Sequence, residues 1–176
     1  MRLLPGFAAL IAFAVPTAAS ASLPVGAQAP QVEAAGAIAG KPYTLNLQEQ
    51  LKSGPVVLYF FPKAFTTGCD LEAHDFADHI AAFKKAGARV IGISADPVEK
   101  LAEFSTQRCA SAFPVASASP AIIDAYDVKL GDSGLANRVS YVIGRDGKIT
   151  FVHNDMDYKD HVKTTLAAVR GLRRRH

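Results

Sequence analysis

The chain has 176 residues, of which 49% are hydrophobic and 20% are charged, and its formal net charge is +3. This is enough apolar material for one well-formed core and too little length for two ordinary domains, which argues against a multidomain organisation. Much of the positive charge lies in the final "RGLRRRH", where cations complement the C-terminal end of a helix, so the charge does not indicate a nucleic-acid-binding protein.

Residues 1–21 have the features of a secretory signal peptide. Arg2 precedes an apolar run over residues 7–15, and "TAASAS" suits a small-residue cleavage site, so the mature chain is predicted to begin near Ser22. The apolar run of about nine residues is well short of the roughly 20 needed to span a bilayer, which favours export to the periplasm over a retained membrane anchor. The predicted organisation is a signal peptide followed by one domain over residues 22–176.

Beyond the predicted signal peptide, the hydrophobic pattern alternates between the periods of strands and helices. In chain order, the predicted elements are an extended segment with a short strand at "GKPYTLNL" (23–54), a strand (56–61), a helix (67–86), a strand (88–94), a helix (98–109), a short strand (113–118), a short helix (121–128), a β-hairpin (138–153) and an amphipathic helix (158–172). The strand over residues 56–61 is continuously apolar, which is typical of a strand buried on both faces. Ser94 or Asp96 is the predicted cap of the second helix, with Pro97 as its first residue.

This order of elements predicts an α/β fold, a thioredoxin-like sandwich with a central mixed sheet and flanking helices. The crossover units require parallel strand pairing, and the hairpin supplies antiparallel strands. A doubly wound nucleotide-binding fold is the competing interpretation. It lacks support because no G-x-G-x-x-G or G-x-x-x-x-G-K follows the first buried strand.

One of the two cysteines lies where the predicted strand over residues 56–61 is followed by a helix. Cys69 falls in the first turn of the predicted helix, where unpaired N–H groups and the positive end of the dipole favour a thiolate nucleophile. The hydroxyl of Thr66 could hydrogen-bond its sulfur or a bound oxygen substrate, and Pro62 would fix the turn of the loop. The alternative is a plain structural disulfide with Cys109, because an exported chain with an even number of cysteines often forms one.

The same stretch resembles the peroxiredoxin active site. Pro62, Thr66 and Cys69 in "PKAFTTGC" are spaced as P-x-x-x-T-x-x-C, and the surrounding sequence is similar to the peroxiredoxin Q, or bacterioferritin comigratory protein, subfamily, with Glu72 three residues after the cysteine. The likeness covers about residues 25–172. It implies a thiol-dependent peroxidase that reduces hydrogen peroxide and alkyl hydroperoxides through a Cys69 sulfenic acid, without a metal or organic cofactor.

The resemblance also implies roles for residues distant from this motif. Arg138 in "NRVSYVIG" matches the family arginine that favours the thiolate and donates to the peroxide oxygens. Glu72 could orient Arg138, or it could be a solvated acid in the first helical turn. Many subfamily members have a resolving cysteine five residues after the first, where this chain has His74, so Cys109 is the implied resolving partner of Cys69 in an atypical two-cysteine mechanism.

Several alternatives remain open at this point. Cys109 lies on the predicted core-facing stripe of its helix, so it could be an inert core thiol or part of a permanent disulfide. An external thiol could resolve Cys69 in a one-cysteine mechanism. The chain could also be a stapled thioredoxin-like binding module without peroxidase activity.

A metal site is disfavoured by the cysteine spacing. Cys69, His74 and His79 could suggest a copper or zinc site, but the sequence contains no C-x-x-C or C-x-x-x-C. His74 is also off the face of the helix that carries Cys69. The remaining histidines lack ligand-like spacing and are assigned to the surface: His153, His161 and His176.

The expected partners follow from the resemblance and from the predicted export. They are a hydroperoxide substrate and an external dithiol reductant, either a thioredoxin-like or a glutaredoxin-like protein. Export makes cytoplasmic thioredoxin a poor candidate for the direct donor. We expect a monomer or weak homodimer, with no nucleic acid partner and no stable membrane insertion.

Overall fold

A computed structural model describes residues 22–174, so the predicted signal peptide lies outside the described residues. In chain order the elements are β1 (Glu33–Ile38), β2 (Lys41–Asn46), α1 (Leu47–Ser53), β3 (Val56–Phe60), α2 (Thr67–Lys85), β4 (Arg89–Ser94), α3 (Val98–Gln107), β5 (Val115–Ser117), α4 (Pro120–Ala125), β6 (Val139–Ile143), β7 (Ile149–Asn154), a 3-10 turn (Tyr158–Asp160) and α5 (His161–Arg173). Within this range, no helix combines the length and the apolar character needed to cross a membrane.

The strands form one seven-stranded mixed sheet in the order β2-β1-β5-β4-β3-β6-β7. β3, β4 and β5 pair in parallel through the crossover helices α2 and α3, whereas β6 pairs antiparallel with both β3 and β7. The predicted thioredoxin-like α/β sandwich with a central mixed sheet is therefore confirmed, and the doubly wound alternative is wrong.

The core is divided between the two faces of the sheet, because successive side chains of a strand point in opposite directions. β3 contributes to both faces, and its residues are buried throughout. Cys69 and Cys109 both belong to the cluster that packs on the face covered by α2, α3 and α5. The sheet therefore places the two thiols on the same side of the molecule, although they are far apart in the sequence.

The N-terminal region contains more regular structure than the sequence predicts. The predicted strand at "GKPYTLNL" is β2, but β1 is not predicted, because its sequence "EAAGAI" consists mostly of residues that are poor strand formers. A glycine is needed there, since a Cβ at Gly36 would overlap the carbonyl oxygen of Val115 in β5. α1 is also not predicted, although Asn46, whose side chain accepts from the N–H of Glu49 over 3.1 Å, is a recognisable helix cap.

The helix predicted over residues 98–109 is shorter in the structure. α3 ends at Gln107, and Cys109 lies beyond it. The backbone then adopts left-handed conformations at two consecutive non-glycine residues, Ala110 (φ 48°) and Ser111 (φ 58°), which a helix cannot continue through. Cys109 is therefore part of a turn and not of the helical stripe that the periodicity predicts.

Candidate active site

Cys69 lies in the first turn of α2, in agreement with the sequence prediction. β3 ends at Phe60 and α2 begins at Thr67, so the cysteine follows directly on the loop that leaves the sheet. Its side chain is a free thiol and is 2% exposed. The first N–H groups of a helix lack intrahelical acceptors and carry partial positive charge, so this position stabilises an anionic sulfur.

The loop between β3 and α2 is held in place by Asp96. The N–H of Ala64 donates to Asp96 Oδ2 over 2.7 Å, and the Ser94 hydroxyl donates to the same oxygen over 2.9 Å. Lys100 donates to the other carboxylate oxygen over 2.7 Å. The prediction of Ser94 or Asp96 as the cap of α3 is wrong, because Pro97 occupies the N-cap position and the Asp96 carboxylate is used by the loop.

Pro62 and Thr66 lie at the two ends of this loop. Pro62 is half-buried and lies two residues after the end of β3, and Thr66 is the exposed N-cap residue of α2. The Thr66 hydroxyl donates to the carbonyl oxygen of Lys63 over 2.9 Å. Its proton is therefore not available to the sulfur of Cys69, while its oxygen keeps the capacity to accept a hydrogen bond.

Arg138 donates a hydrogen bond from each of its three side-chain nitrogens. The antiparallel pairing of Phe60 with Val139 places it beside the loop that follows β3. Its Nη2 donates to Cys69 Sγ over 3.5 Å, its Nε donates to the carbonyl oxygen of Met156 over 3.0 Å, and its Nη1 donates to a carboxylate oxygen of Glu72. A guanidinium fixed in three directions holds its charge against the sulfur with little freedom to turn away.

Glu72 lies one helical turn after Cys69 and is completely buried. The solvated alternative considered from the sequence is therefore wrong, since its Oε2 accepts from Arg138. Burial raises the pKa of Glu72 to about 8, and the charge of Arg138 opposes that rise. Burial disfavours the charged form of Arg138, but Glu72 and Cys69 outweigh this and raise the pKa of Arg138 above its ordinary value.

Gly68 contributes to this arrangement by its lack of a side chain. A Cβ at this position would lie 3.2 Å from Nη2 of Arg138, closer than ordinary van der Waals contact. The guanidinium would have to shift away from Cys69 to accommodate it.

Cys109 is a free thiol with no exposed surface. Its N–H donates to the carbonyl oxygen of Phe104 over 3.1 Å, which ties the turn to the end of α3. Burial raises the pKa of the Cys109 thiol, and the negative charge of Asp70 adds to the rise. In the described conformation Cys109 is a protonated thiol at neutral pH.

An ion pair connects the two cysteine-bearing segments. Arg108 Nε lies 2.7 Å from Asp70 Oδ2, and the Arg108 guanidinium lies over the ring of Phe65 with 5.5 Å to the centroid. Arg108 and Asp70 are the immediate neighbours of Cys109 and Cys69. No local pattern in the sequence indicates this contact, because it joins residues 38 positions apart.

Tyr59 of β3 lies within electrostatic range of both cysteines. Its ring stacks on Phe76 with 4.3 Å between centroids, and its hydroxyl has no hydrogen-bond partner among residues 22–174. Burial raises the pKa of Tyr59, and negative charge on Cys109, Glu72 or Cys69 raises it further. The tyrosine therefore stays neutral beside the thiols.

The histidines are distributed differently from the prediction. His74 is exposed on α2, and His79 is exposed with Nδ1 3.0 Å from Asp75 Oδ1. His161 is completely buried and His153 half-buried, with their rings perpendicular and 4.4 Å apart, so the surface assignment is wrong for His161. Its burial could have been found from the helical spacing that it shares with other buried residues of α5. Between residues 22 and 174 no three His, Cys, Asp or Glu side chains are grouped so as to hold a metal ion.

Comparison with known proteins identifies the group to which this arrangement belongs. The model of the AhpC/TSA family matches residues 25–152. The chain belongs to the AhpC/TSA family. It is 32% identical to peroxiredoxin Bcp of Escherichia coli over 117 residues, covering 63% of this chain and 75% of that protein. It is 31% identical to the chloroplastic peroxiredoxin Q of Sedum lineare over 141 residues, covering 75% of this chain and 76% of that protein.

Solved structures agree with this assignment to the AhpC/TSA family. Peroxidoxin BcpB from Mycobacterium tuberculosis superposes with a TM-score of 0.76 at 31% identity, covering 84% of this chain and 97% of that one. Xanthomonas campestris peroxiredoxin Q gives a TM-score of 0.70 at 26% identity, covering 80% and 90% of the two chains. The chain is a thiol-dependent peroxidase related to Bcp and peroxiredoxin Q, and the interpretation as a binding module without peroxidase activity is wrong.

Proposed function

We propose that Cys69 is the peroxidatic cysteine of this AhpC/TSA protein. The observation that carries the proposal is the distance of 3.5 Å between Cys69 Sγ and Nη2 of the buried Arg138. A thiolate at this place is stabilised by a cation that cannot be neutralised at physiological pH. It attacks one oxygen of the hydroperoxide and the O–O bond breaks, so that Cys69 becomes a sulfenic acid and hydroxide or an alkoxide leaves.

The groups around the sulfur suit the demands of this step. Arg138 and the free N–H groups at the start of α2 are hydrogen-bond donors for the oxygen that acquires negative charge. The oxygen of Thr66, whose proton is donated to Lys63, can accept from the hydroperoxide O–H. Pro62 has no N–H and shapes the loop without adding a competing donor. The substrates that fit these groups are hydrogen peroxide and alkyl hydroperoxides.

We propose further that Cys109 resolves the sulfenic acid. The Cys109 thiol attacks the sulfur of Cys69, a disulfide forms, and the sulfenic oxygen leaves as water. Over the two steps the pair of cysteines loses two electrons, which reduce one hydroperoxide. Both cysteines are buried free thiols within packed segments, and we expect the first turn of α2 and the turn around Cys109 to open for them to meet. Three features favour opening: Thr66 caps α2 without a side-chain hydrogen bond, Gly68 lies in its first turn, and Ala110 is left-handed.

A one-cysteine mechanism is the second candidate. Its support is the complete burial of Cys109, whose raised pKa keeps it protonated and therefore a poor nucleophile until the turn opens. In this case an external thiol reaches the Cys69 sulfenic acid before Cys109 does.

The experiment that tests these proposals follows mass and free thiols after one equivalent of hydrogen peroxide. Wild-type protein is expected to lose both thiols and two hydrogens, whereas Cys109→Ser is expected to gain oxygen at Cys69, and Cys69→Ser is expected not to react. A wild-type protein that gains oxygen and keeps its second thiol would favour the one-cysteine mechanism. A Cys69→Ser variant that reacts as fast as wild type would exclude Cys69 as the peroxidatic residue.

We also propose that residues 1–21 are removed on export and that residues 22–176 form the mature periplasmic domain. A thioredoxin-like or glutaredoxin-like dithiol protein then reduces the disulfide. The signal-like sequence of residues 1–21 supports export. Because an exported protein does not meet cytoplasmic thioredoxin, the reductant is expected to be an exported protein as well. N-terminal sequencing of protein from the periplasmic fraction should begin near Ser22. Light scattering of the same material tests the proposed monomer or weak homodimer.

A further inference from the structure

A line of four buried polar side chains extends from Cys69 into the protein: Arg138, Glu72, His161 and Ser140. Arg138 joins the sulfur to Glu72, and Glu72 Oε1 lies 3.6 Å from Nδ1 of His161. His161 is held by two further contacts, from Nδ1 to the Ser140 hydroxyl at 2.8 Å and from Nε2 to the carbonyl oxygen of Asp155 at 2.9 Å. Because a carbonyl oxygen only accepts, Nε2 carries a hydrogen and Nδ1 is the nitrogen that gains or lacks a proton.

The carboxyl group of Glu72 is incompletely satisfied in this line. Oε2 accepts from Arg138, but Oε1 is buried and has no hydrogen-bond partner among the described residues. If Glu72 is ionised and His161 is neutral, Nδ1 accepts from the Ser140 hydroxyl, and Oε1 is a buried acceptor that faces another acceptor instead of a donor, which is costly in a buried site. A proton on Oε1 neutralises the carboxylate, and a proton on Nδ1, with the Ser140 hydroxyl turned away, makes His161 a donor towards Oε1; either position removes this cost.

The charge balance of the line depends on the state of Cys69. With a Cys69 thiolate, Arg138 and an ionised Glu72, two negative charges and one positive charge are buried together. One proton on the Glu72–His161 pair makes the sum zero. Once Cys69 is a neutral disulfide, Arg138 and ionised Glu72 balance without that proton, and burying an uncompensated charge is unfavourable in either state.

We propose that Glu72 and His161 hold one proton while Cys69 is a thiolate, and that the pair releases it when Cys69 is oxidised. This inference rests on the proposed role of Cys69 as the peroxidatic cysteine. The reaction consumes a proton, because the departing hydroxide needs one to become water. The proton released by the pair compensates for this, so the oxidation of both cysteines by hydrogen peroxide takes up no net proton from the solvent.

The neighbouring groups support one proton on the pair at neutral pH. Burial raises the pKa of Glu72 to about 8, with Asp75 of α2 adding to the rise and Arg138 opposing it. Burial lowers the pKa of His161 to about 4, and the charges of His153 of β7 and Arg138 lower it further. The hydrogen bond to the Asp155 carbonyl and the charge of Asp155 oppose this fall. Tyr59 of β3 stays neutral on the remaining side. The proton therefore resides mainly on the carboxyl group while Cys69 is reduced.

The first test counts protons during oxidation of the reduced mature protein by one equivalent of hydrogen peroxide at pH 7, with a pH indicator in weak buffer. Wild type is expected to take up about zero protons and His161→Gln about one, because the glutamine amide donates to Glu72 Oε1 and keeps the carboxylate ionised in both states. His74→Gln, at an exposed position of α2, is the matched control and should behave as wild type. A wild-type uptake of about one proton, or about zero for both wild type and His161→Gln, would overturn the proposal.

The second test uses infrared difference spectroscopy and does not depend on the folding of a His161 variant. Wild-type protein should lose the carbonyl stretch of a protonated carboxylic acid on oxidation, and Glu72→Gln should lack this signal. A difference spectrum of wild type without it would refute the proposal. Mass spectrometry of the same samples separates the two levels of inference: absence of a Cys69–Cys109 disulfide would contradict the proposed function, whereas a disulfide without the proton signals would contradict only the proton-holding pair.

Discussion

The ion pair between Arg108 and Asp70 is predicted to restrain disulfide formation. It joins the first turn of α2 to the residue before Cys109, and these are the two segments that open in the proposed resolving step. Arg108→Met removes the charge and retains an apolar chain to cover Phe65. The variant should therefore open more readily and form the disulfide faster.

The size of the effect follows from the geometry of the pair. Its side chains are 34% and 22% exposed and the Nε–Oδ2 distance is 2.7 Å, so the pair lies between an exposed and a buried salt bridge. Such a charge-assisted hydrogen bond contributes about 1 to 2 kcal/mol. If that energy is lost in the closed state alone, the open fraction rises about 5- to 30-fold, and disulfide formation accelerates by the same factor.

Rapid quenching followed by mass spectrometry separates the two steps of the reaction. Oxidation of Cys69 to the sulfenic acid should proceed at the wild-type rate in Arg108→Met, whereas its conversion to the disulfide should be faster and less sulfinic acid should form at high peroxide. Lys129→Met, which removes an exposed ion pair with Asp124, is the matched control and should change neither step. An unchanged or slower conversion in Arg108→Met would refute the idea that this ion pair keeps the two segments closed.

Other consequences of the site geometry can be measured by peroxide kinetics and urea unfolding. Gly68→Ala should slow oxidation of the peroxidatic cysteine by about 3- to 10-fold by displacing Arg138, whereas Gly171→Ala, a helical glycine with nothing within 4 Å of the added Cβ, should leave the rate unchanged. Arg138→Lys keeps the charge but not the three-way contact and should reduce the rate by about 10- to 100-fold; a rate near that of wild type would show that charge alone suffices. In Glu72→Gln, the free energy of unfolding should fall by about 3 kcal/mol between pH 6.5 and pH 4, because the pKa of His161 is lowered to about 4 and the unfolded chain binds the proton more strongly. Wild type should show a weaker dependence between pH 4.5 and pH 6.5, since the raised pKa of Glu72 gives the opposite slope there; equal slopes in the two proteins would contradict these shifts.

Local patterns are sufficient for the central elements of the fold. The apolar run of β3, the change of period into α2 and the turn residues of the β6–β7 hairpin each express a preference within a short segment. The same patterns are enough to place Cys69 at a helix N-terminus. They fail for β1, whose alanines and Gly36 have little strand preference of their own and form a strand because they fit closely against β5.

The surroundings of Cys69 depend on contacts that no local pattern contains. Arg138 can be named from the resemblance to peroxiredoxins, but its contact with the sulfur spans 69 positions and arises from the pairing of β3 with β6. Asp70 meets Arg108 because the fold brings the start of α2 beside the residue that follows α3, and Glu72 comes near His161 because α2 packs against α5.

The sequence by itself therefore determined the fold class, the family resemblance and the position of Cys69, because these depend on residue types at short spacing. Only the tertiary structure decided that Cys109 lies in a left-handed turn beyond α3 and that His161 is buried beside Glu72. The physical reason is that burial and charge pairing are properties of the whole packed chain. They arise when the sheet order brings side chains from distant segments into one volume that excludes water.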